Sequence, residues 1–425
     1  MYIDKDIINI VENTIKDFIW NGKKTKIKNS TLYAEYSEGG LKLPDFQSQL
    51  KAMNISTIIK LIDGHHKGKF FTLIPDTYLV SLGGFSQISS NFDPTNIHKQ
   101  TPAFLRQLLQ TWSDYAFSNS EIDLDCVMNQ NIWNNKYIKV DGLPIYYKNF
   151  AQKGIQKIRN LCDDDGTFCW NYAKILGLKD KDFLKWAGII HALPNDWKKL
   201  ISEQRERIPA IKQKDVKMYI KRKEVKLDQL TSKVIYQELV KERITKPTAQ
   251  SNLIRRFGID QPDWEKIYNR IYATTIDNYL RMFQFKILNN ILYLNYDLNR
   301  FKIIDCSSCS FCHSYPETIE HLFVQCIETK NLYFEIRDWI KSFGILLPSC
   351  NNENIIFGVD DQLINFILLV YKLILFKTRN KSNIVLSISI FKNTLKLYKT
   401  IEWKVALNKQ KVEIHNKKKE RLEKL

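Results

Sequence analysis

The sequence predicts a mainly α protein, a multi-segment helical scaffold that carries a small Cys3His zinc knuckle. Apolar residues recur at helical spacing over long stretches, and there is no extended Gly- or Pro-rich spacer. Four of the eight cysteines and two of the seven histidines fall within the 21 residues from Cys306 to Cys326. With 425 residues, 44% of them hydrophobic, the chain is long enough for about two or three domains with buried cores. Short strands are expected only near the knuckle and around 130–150.

The first predicted segment, residues 1–62, consists of a helix, a basic loop and a second helix. Apolar residues at helical spacing predict the first helix, and the loop "NGKKTKIKNS" follows it. Gly39-Gly40 supplies a turn, and Pro44 blocks a continuing helix. Asp45 is placed to cap the helix that begins after it.

The rest of the chain divides into four further predicted segments. Aliphatic periodicity predicts helices on both sides of the cysteine cluster, including one at 278–292, whereas the stretch after 206 is rich in lysine. The segments are a linking helical region at 63–206, a basic linker or solvated helix at 207–250, a zinc-binding domain at 251–345, and C-terminal helices with a basic tail at 346–425.

Membrane insertion and secretion are not expected. The most apolar stretch, 363–376, contains Lys372 and is shorter than the ~20 residues that a span requires, so it predicts a buried helix. The first twenty residues include Asp4, Asp6 and Glu12, which does not fit a signal peptide. We therefore expect an intracellular protein in the nucleus or cytoplasm, where clustered cysteines indicate a metal rather than disulfides.

The chain is strongly basic. Lys and Arg total 64 against 46 Asp and Glu, which gives a net charge of +18 and a pI near 9.3. A positive field of this size suits a polyanion, and nucleic acid is the commonest one. A lysine- and asparagine-rich composition from an AT-rich genome would give the same excess, so charge alone leaves both explanations open.

The cysteine cluster has the spacing of a metal site. Cys309 and Cys312 form a C-x2-C pair, His321 follows after eight residues, and Cys326 after four more. A tight pair lets two thiolates approach one ion from a turn, and "PETIEHLFVQC" predicts a proline-started helix that presents the imidazole. Three sulfurs and one nitrogen suit zinc, and a closed set of four ligands predicts a structural role.

Two neighbouring residues leave the ligand set open. Cys306 forms a second C-x2-C pair with Cys309, so it is an alternative ligand or a free thiol. His313 is a weaker candidate because it directly follows Cys312. Cysteines that bind no metal in a reducing cell remain the simplest alternative.

Two stretches resemble one family in the expected order. The segment from "FQFKILNN" to "ETIEHLFVQC" resembles the zinc-binding segment after the reverse transcriptase domain of LINE-type (non-LTR) retrotransposons. Glu317, Thr318, His321, Phe323 and Cys326 match its "E-T-x-x-H-[LI]-F-x-x-C" pattern in order. Independently, "FIWNGKKTKIKNSTLYAEYSEGGLKLPDF" is similar to the segment that follows the polymerase palm and thumb in those proteins. The likeness weakens beyond about 360.

The resemblance implies the post-palm part of such a polyprotein, as a fragment or decayed copy. Residues 1–62 would then be a thumb-like segment, and the partners would be RNA or DNA and an upstream palm domain, in cis or in trans, within a ribonucleoprotein. Polymerase chemistry needs paired palm aspartates that hold two metal ions. Asp360-Asp361 follows the zinc segment and lacks the preceding aromatic residue, so we predict a helix cap or turn there and no enzyme activity in this chain.

Candidate nucleic-acid contacts are basic residues in several clusters. Lysines contact phosphates, although a run of charges is by default a solvated face. The candidates are Lys23, Lys24, Lys26, Lys28, Lys221, Arg222, Lys223, Arg255, Arg256 and Arg281.

Two functions of different classes follow. The first is a nucleic-acid-binding, zinc-containing accessory region of a non-LTR reverse transcriptase. The second is a zinc-stapled protein-interaction domain without a nucleic-acid role. Exposed lysines that converge on one surface would favour the first, and scattered lysines the second.

Overall fold

A computed structural model describes residues 4–88, 91–116, 123–213, 219–220, 223–224, 226, 229–381 and 385–408. Helices dominate, which confirms the predicted mainly α fold. The strands of the described residues form two short antiparallel pairs, β1 (Lys139–Val140) with β2 (Leu143–Pro144) and β3 (Tyr219–Ile220) with β4 (Lys223–Glu224). The first pair lies where the sequence predicts strands, and the second was not predicted.

The helices are numbered in chain order. Short 3₁₀ turns connect several of them, and two five-residue π-helical turns occur at His321–Gln325 and Glu353–Phe357. The α-helices are α1 (Lys5–Trp20), α2 (Asn29–Leu32), α3 (Phe46–His66), α4 (Leu73–Tyr78), α5 (Ala103–Ala116), α6 (Leu124–Met128), α7 (Lys148–Gln152), α8 (Trp170–Ile175), α9 (Phe183–Ala192), α10 (Asn195–Glu203), α11 (Ile208–Gln213), α12 (Ser232–Arg243), α13 (Thr248–Phe257), α14 (Trp264–Thr274), α15 (Asn278–Leu288), α16 (Asn295–Arg300), α17 (Ile327–Lys341), α18 (Gln362–Thr378) and α19 (Ile388–Asn408).

Two compact units make up the chain, and each is discontinuous in sequence. The first unit comprises Met1–Asn21 and Asp45–Glu242, and the second comprises Gly22–Pro44 and Arg243–Leu425. The second unit therefore includes the basic loop as well as the cysteine cluster. The five segment boundaries drawn from sequence stay predictions.

The first unit contains two apolar clusters. One surrounds Trp133, whose indole N–H donates to the Ile155 carbonyl at 2.9 Å, and the other joins α3 to α5. Residues 207–250, predicted as a linker or solvated helix, supply the buried side chains of Ile208, Ile220 and Ile235 to these clusters. The described part of this segment is therefore not a bare linker, because its few isoleucines are in the core despite the surrounding lysines.

Two N-terminal details differ from the sequence expectation. Asp45 lies at the N-cap position of α3, but its buried carboxylate accepts a hydrogen bond from the Ser48 hydroxyl at 2.5 Å instead of capping a backbone N–H. Helix α1 forms where the spacing predicts it, yet Phe18 on it is 88% exposed. Periodicity predicted the helix itself, but not what covers its apolar face.

The core of the second unit is built around α18. Nearly every side chain of this helix is buried, as predicted for 363–376. Asp361 caps it by accepting from the backbone N–H groups of Leu363 and Ile364 at 2.8 and 3.0 Å, which confirms the predicted cap. Asp360 pairs with Lys266 and Arg270. Among the described residues, no helix is both long and apolar enough to cross a lipid bilayer.

The segment Gly22–Pro44 folds against α14. Tyr36 stacks on Tyr272 with ring centroids 4.2 Å apart. Gly39 has a φ of +87°, and a Cβ there would lie 2.6 Å from the Tyr268 ring, so glycine is needed both for the turn and for the close approach. The Ser30 and Thr245 hydroxyls are 2.7 Å apart, which fixes the start of the segment.

Candidate metal centre and nucleic-acid surface

A tight loop presents the first two cysteines. The Cys309 N–H donates to the Tyr315 carbonyl at 2.7 Å, and the His313 N–H donates to the Cys309 carbonyl at 3.0 Å. His313 has a φ of 56°, in the left-handed region that closes such a turn. The Phe311 N–H points at the Cys309 sulfur from 3.5 Å, so the backbone stabilises negative charge on that sulfur. The loop places Cys309 and Cys312 side by side.

A π-helical turn presents the other two ligands. The sequence predicts a helix that starts at Pro316, but that residue instead forms a β-bridge with Ser308. The helical turn is capped two residues later, where the Thr318 hydroxyl accepts from the His321 N–H at 3.1 Å. The Cys326 N–H donates to the His321 carbonyl at 2.8 Å. The wider π-turn thus brings together two ligands that are five positions apart.

The four predicted ligands form one cluster. One ligand atom each from Cys309, Cys312, His321 and Cys326 all lie within 4.8 Å of one another. The Cys309 and Cys326 sulfurs are 3.9 Å apart, and the Cys312 sulfur is 3.2 Å from His321 Nε2. A tetrahedral zinc ion with bonds of about 2.3 Å to sulfur and 2.0–2.1 Å to nitrogen separates its ligands by about 3.5–3.8 Å. The residues present fit zinc, and all four coordination positions are supplied by protein.

The position of Cys326 favours its thiolate. A hydrogen bond from the Cys309 thiol is the largest cause that lowers the pKa of Cys326, and hydrogen bonds from the backbone N–H groups of Thr329 and Glu328 act in the same direction, against the opposing effect of burial. These N–H groups belong to the first turn of α17, whose N-cap is Cys326 itself. The thiolate is the form that binds metal, so the helix N-terminus prepares this ligand.

A buried carboxylate supports the cysteine loop. Glu317 is fully buried and accepts from both the backbone N–H and the hydroxyl of Ser310, at 2.8 and 2.6 Å. Its other oxygen accepts from the Asn295 N–H at 3.3 Å and pairs with Arg379 at 3.0 Å. Ser310 lies between the first two ligands, so Glu317 fixes the loop from behind, as outer partners do at metal sites.

The two alternative ligands lie outside the cluster. Cys306 is exposed, and its sulfur accepts from Ser308, which lowers the pKa of the thiol. His313 is also exposed, and its backbone lies in the left-handed region. The Cys309–Cys312 pair, preferred from sequence because it is nearer the helix that bears His321, is the pair in the cluster.

Residues 248–333 match a family model described as zinc-binding in reverse transcriptase. The matched range contains all four residues of the Cys3His cluster. It begins near the predicted start of the zinc-binding domain, at 251, and stops before its predicted end, at 345. No curated protein matches the chain.

Within the second unit, Lys26 of the basic loop lies near Tyr293 and near Lys286 of α15. The ammonium of Lys26 lies 4.3 Å from the centroid of the Tyr293 ring. Burial, then the charges of Lys286 and Lys23, lower the pKa of Lys26. Lys24 and Lys28 are exposed on the same loop. The structure therefore brings part of the predicted lysine cluster together with a lysine of α15.

The predicted arginines have different surroundings. Arg255 is exposed, and its side chain makes no hydrogen bond or ion pair with any described residue. Arg256 pairs with Glu320 and donates to Asn290 at 3.0 Å. Arg281 donates to the Thr275 carbonyl at 2.6 Å and lies over the ring of Tyr272. Arg256 and Arg281 thus hold parts of the second unit, and their nucleic-acid role stays a prediction.

Most of the third predicted cluster lies outside the described residues. Lys221 and Arg222 lie outside the described residues, and of Lys223 only its backbone, in β4, is described. Sequence reasoning missed the supporting role of Arg379, because nothing near it in the chain marks its ion pair with Glu317. The glutamate itself belongs to the "E-T-x-x-H" pattern, which was the available signal.

Proposed function

We propose that this chain is the nucleic-acid-binding, zinc-containing accessory region of a LINE-type, non-LTR retrotransposon reverse transcriptase. The family match over 248–333 supports a zinc-binding region associated with a reverse transcriptase. The likeness of the stretch around Gly39-Gly40 to the segment after the palm supports the non-LTR class. The chain would act with a palm domain, in cis or in trans, on RNA or DNA within a nuclear or cytoplasmic ribonucleoprotein, and would not itself be catalytic.

The observation that carries the proposal is the grouping of like charges on the metal-bearing unit. Burial lowers the pKa of Lys26 most, and the nearby charges of Lys286 and Lys23 lower it as well. Repulsion of this kind costs stability in the free protein. A phosphate backbone would relieve it and would release counterions as it binds.

The metal site would hold this surface in place. Cys309, Cys312, His321 and Cys326 would bind zinc, and the ion would supply folding energy to the surrounding loops. A contact path leads from the site to the lysines. Arg379 donates both to Glu317, behind the cysteine loop, and to the carbonyl of Tyr293, at 3.4 Å, and Tyr293 carries Lys26.

The test has two parts. Zinc content and urea unfolding are measured for Cys309→Ser and His321→Ala, which should each lose the metal and destabilise residues near it by several kcal/mol, roughly. Binding of a fluorescence-labelled single-stranded RNA is then measured between about 50 and 200 mM salt for the wild type and for Lys23→Ala/Lys26→Ala. We expect affinity to fall steeply with salt and the slope to be smaller in the variant. Salt-independent binding, or one bound zinc in both metal-site variants, would refute the proposal.

The alternative is a protein-interaction domain, which would use exposed apolar side chains such as Ile175 and Leu184 of the first unit, 81% and 80% exposed. A zinc-loaded protein that binds no single-stranded nucleic acid at low salt would support this alternative.

A further inference from the structure

Aromatic rings and positive charges alternate on one surface of the second unit. The Lys26 ammonium lies 4.3 Å from the centroid of the Tyr293 ring, and the Tyr293 and Phe301 rings meet edge to face with centroids 5.1 Å apart. The Arg300 guanidinium lies 5.1 Å from the centroid of the Phe301 ring. These four residues, which come from the basic loop and from the neighbourhood of α16, form what we call the aromatic-basic surface.

Phe301 is the exposed ring of this surface. It directly follows α16 and is 43% exposed, whereas Tyr293 is half-buried. The Phe301 N–H donates to the Asp297 carbonyl at 3.0 Å, which ends the helix and fixes the position of the residue. A single exposed apolar side chain is common on protein surfaces and is not by itself a site. What distinguishes Phe301 is the positive charge around it.

The positive charge around Phe301 comes from separate parts of the chain. Lys286 and Lys23 lie near enough to Lys26 for their charges to lower its pKa, although burial lowers it more. The Arg300 side chain is 61% exposed and contacts Asp297 only at 3.5 Å, a weak pair that leaves its guanidinium available to an anion. A phosphate backbone that binds these cations would therefore pass beside the exposed ring.

A second phenylalanine of this unit offers a matched comparison. Phe334 on α17 is 40% exposed, and the Arg337 guanidinium lies 4.8 Å from its ring centroid. Its ring also meets a tyrosine edge to face, with the Tyr333 centroid 6.1 Å away. Tyr333 is buried, however, whereas Tyr293 carries Lys26 on its ring, and Arg337 pairs with Asp338 at 3.1 Å. Phe334 thus shares the exposed ring and the arginine but not the contact with the lysine cluster.

We propose that the aromatic-basic surface binds an unpaired base of a nucleic-acid strand, which stacks on Phe301 while Lys26 and Arg300 bind nearby phosphates. Inside a duplex the faces of a base are covered by its neighbours, so a single-stranded segment is the ligand that can stack in this way. The inference rests on the proposed function, since it takes the lysine cluster as a nucleic-acid contact. It adds that base faces as well as phosphates contribute to affinity, with no preference among the bases, because every base has a flat face.

The experiment compares two labelled RNAs of about 12 residues that carry the same number of phosphates. One is an oligouridylate, and the other has the same backbone with a stable abasic ribose analogue at every position. For the wild type we expect the oligouridylate to bind on the order of tenfold more tightly. Phe301→Leu, which keeps an apolar side chain but removes the ring, should lose most of this difference, whereas Phe301→Trp should keep it. Phe334→Leu, the matched control, should also keep it. Zinc content and circular dichroism verify that each variant is folded, and Phe301→Met replaces Phe301→Leu if the latter is not.

The outcomes separate this inference from the proposed function. If the wild type binds both RNAs equally while binding still falls with salt, base stacking is wrong and the proposed function stands. If Phe301→Leu keeps the full difference, or Phe334→Leu loses as much of it as Phe301→Leu does, the assignment to Phe301 is wrong. If the wild type binds neither RNA at low salt, both proposals are wrong. A preference for the base-bearing RNA that Phe301→Leu removes and Phe334→Leu keeps supports the aromatic-basic surface.

Discussion

A buried lysine makes the stability of the second unit sensitive to pH. Lys372 is 3% exposed in the middle of α18, and its ammonium donates to Gln284 Oε1 at 2.6 Å and to the Ile355 carbonyl at 2.8 Å. Both acceptors are uncharged. Burial therefore lowers the pKa of Lys372 to about 7, from an ordinary value of 10.5.

The sign of the effect follows from proton binding. Between pH 7 and 10.5 an unfolded lysine keeps its proton, whereas folded Lys372 releases it. The unfolded state then binds more protons, so the free energy of unfolding rises with pH across this window. With these two pKa values the increase between pH 7 and pH 9 is about 2 kcal/mol.

The assay is urea unfolding at pH 7, 8 and 9, followed by circular dichroism at fixed zinc. Lys372→Met keeps the length of the side chain and should abolish this contribution to the pH dependence, although it leaves Gln284 and Ile355 without a donor. Lys377→Met is the matched control on the same helix, since this exposed lysine keeps a raised pKa and does not titrate in the window. Equal pH slopes in the wild type and Lys372→Met would refute the reasoning.

Two further predictions concern the metal centre. Glu317→Ala should leave Arg379, 12% exposed, without its ion pair and should cost about 3–5 kcal/mol, whereas Glu317→Gln keeps an acceptor for Ser310 and should mainly weaken zinc binding, by roughly 10–100-fold. Zinc competition with a chelator and urea unfolding measure these effects. Glu335→Gln, on the exposed side of α17, is the control. A zinc affinity in Glu317→Gln equal to that of the wild type would contradict the role of Glu317 in supporting the cysteine loop. Cys306→Ser should keep one zinc per chain and change stability by no more than about 0.5 kcal/mol. Loss of zinc in that variant would place Cys306 among the ligands.

Local patterns predicted the local parts of the site. The spacing of the four residues predicted their cluster because a C-x2-C loop and a five-residue turn each involve few residues, so their geometry follows from short-range hydrogen bonds. The cap at Asp361 is predictable for the same reason, since a capping side chain contacts only the next two or three residues. The proline rule failed at Pro316, where pairing with Ser308 outweighed its preference for the first helical turn.

Contacts between distant segments could not be predicted in this way. Nothing in the basic loop indicates that Lys26 lies on Tyr293, and nothing near Glu317 indicates Arg379. The aromatic-basic surface is assembled from the basic loop and the residues around α16, so no single stretch of sequence contains its pattern. In the lysine-rich stretch 207–250 the composition did not indicate that Ile208, Ile220 and Ile235 would be buried, because their burial depends on contacts with other segments.

The discontinuity of the second unit determines when it can be completed during synthesis. Ser30 and Thr245 are 215 positions apart in the chain, yet their hydroxyls are in contact. Gly22–Pro44 emerges from the ribosome well before α14, so this segment cannot pack on α14 until the intervening part of the first unit has been synthesised. A chain that ends before α14 would therefore contain the basic loop without the helix against which its segment packs.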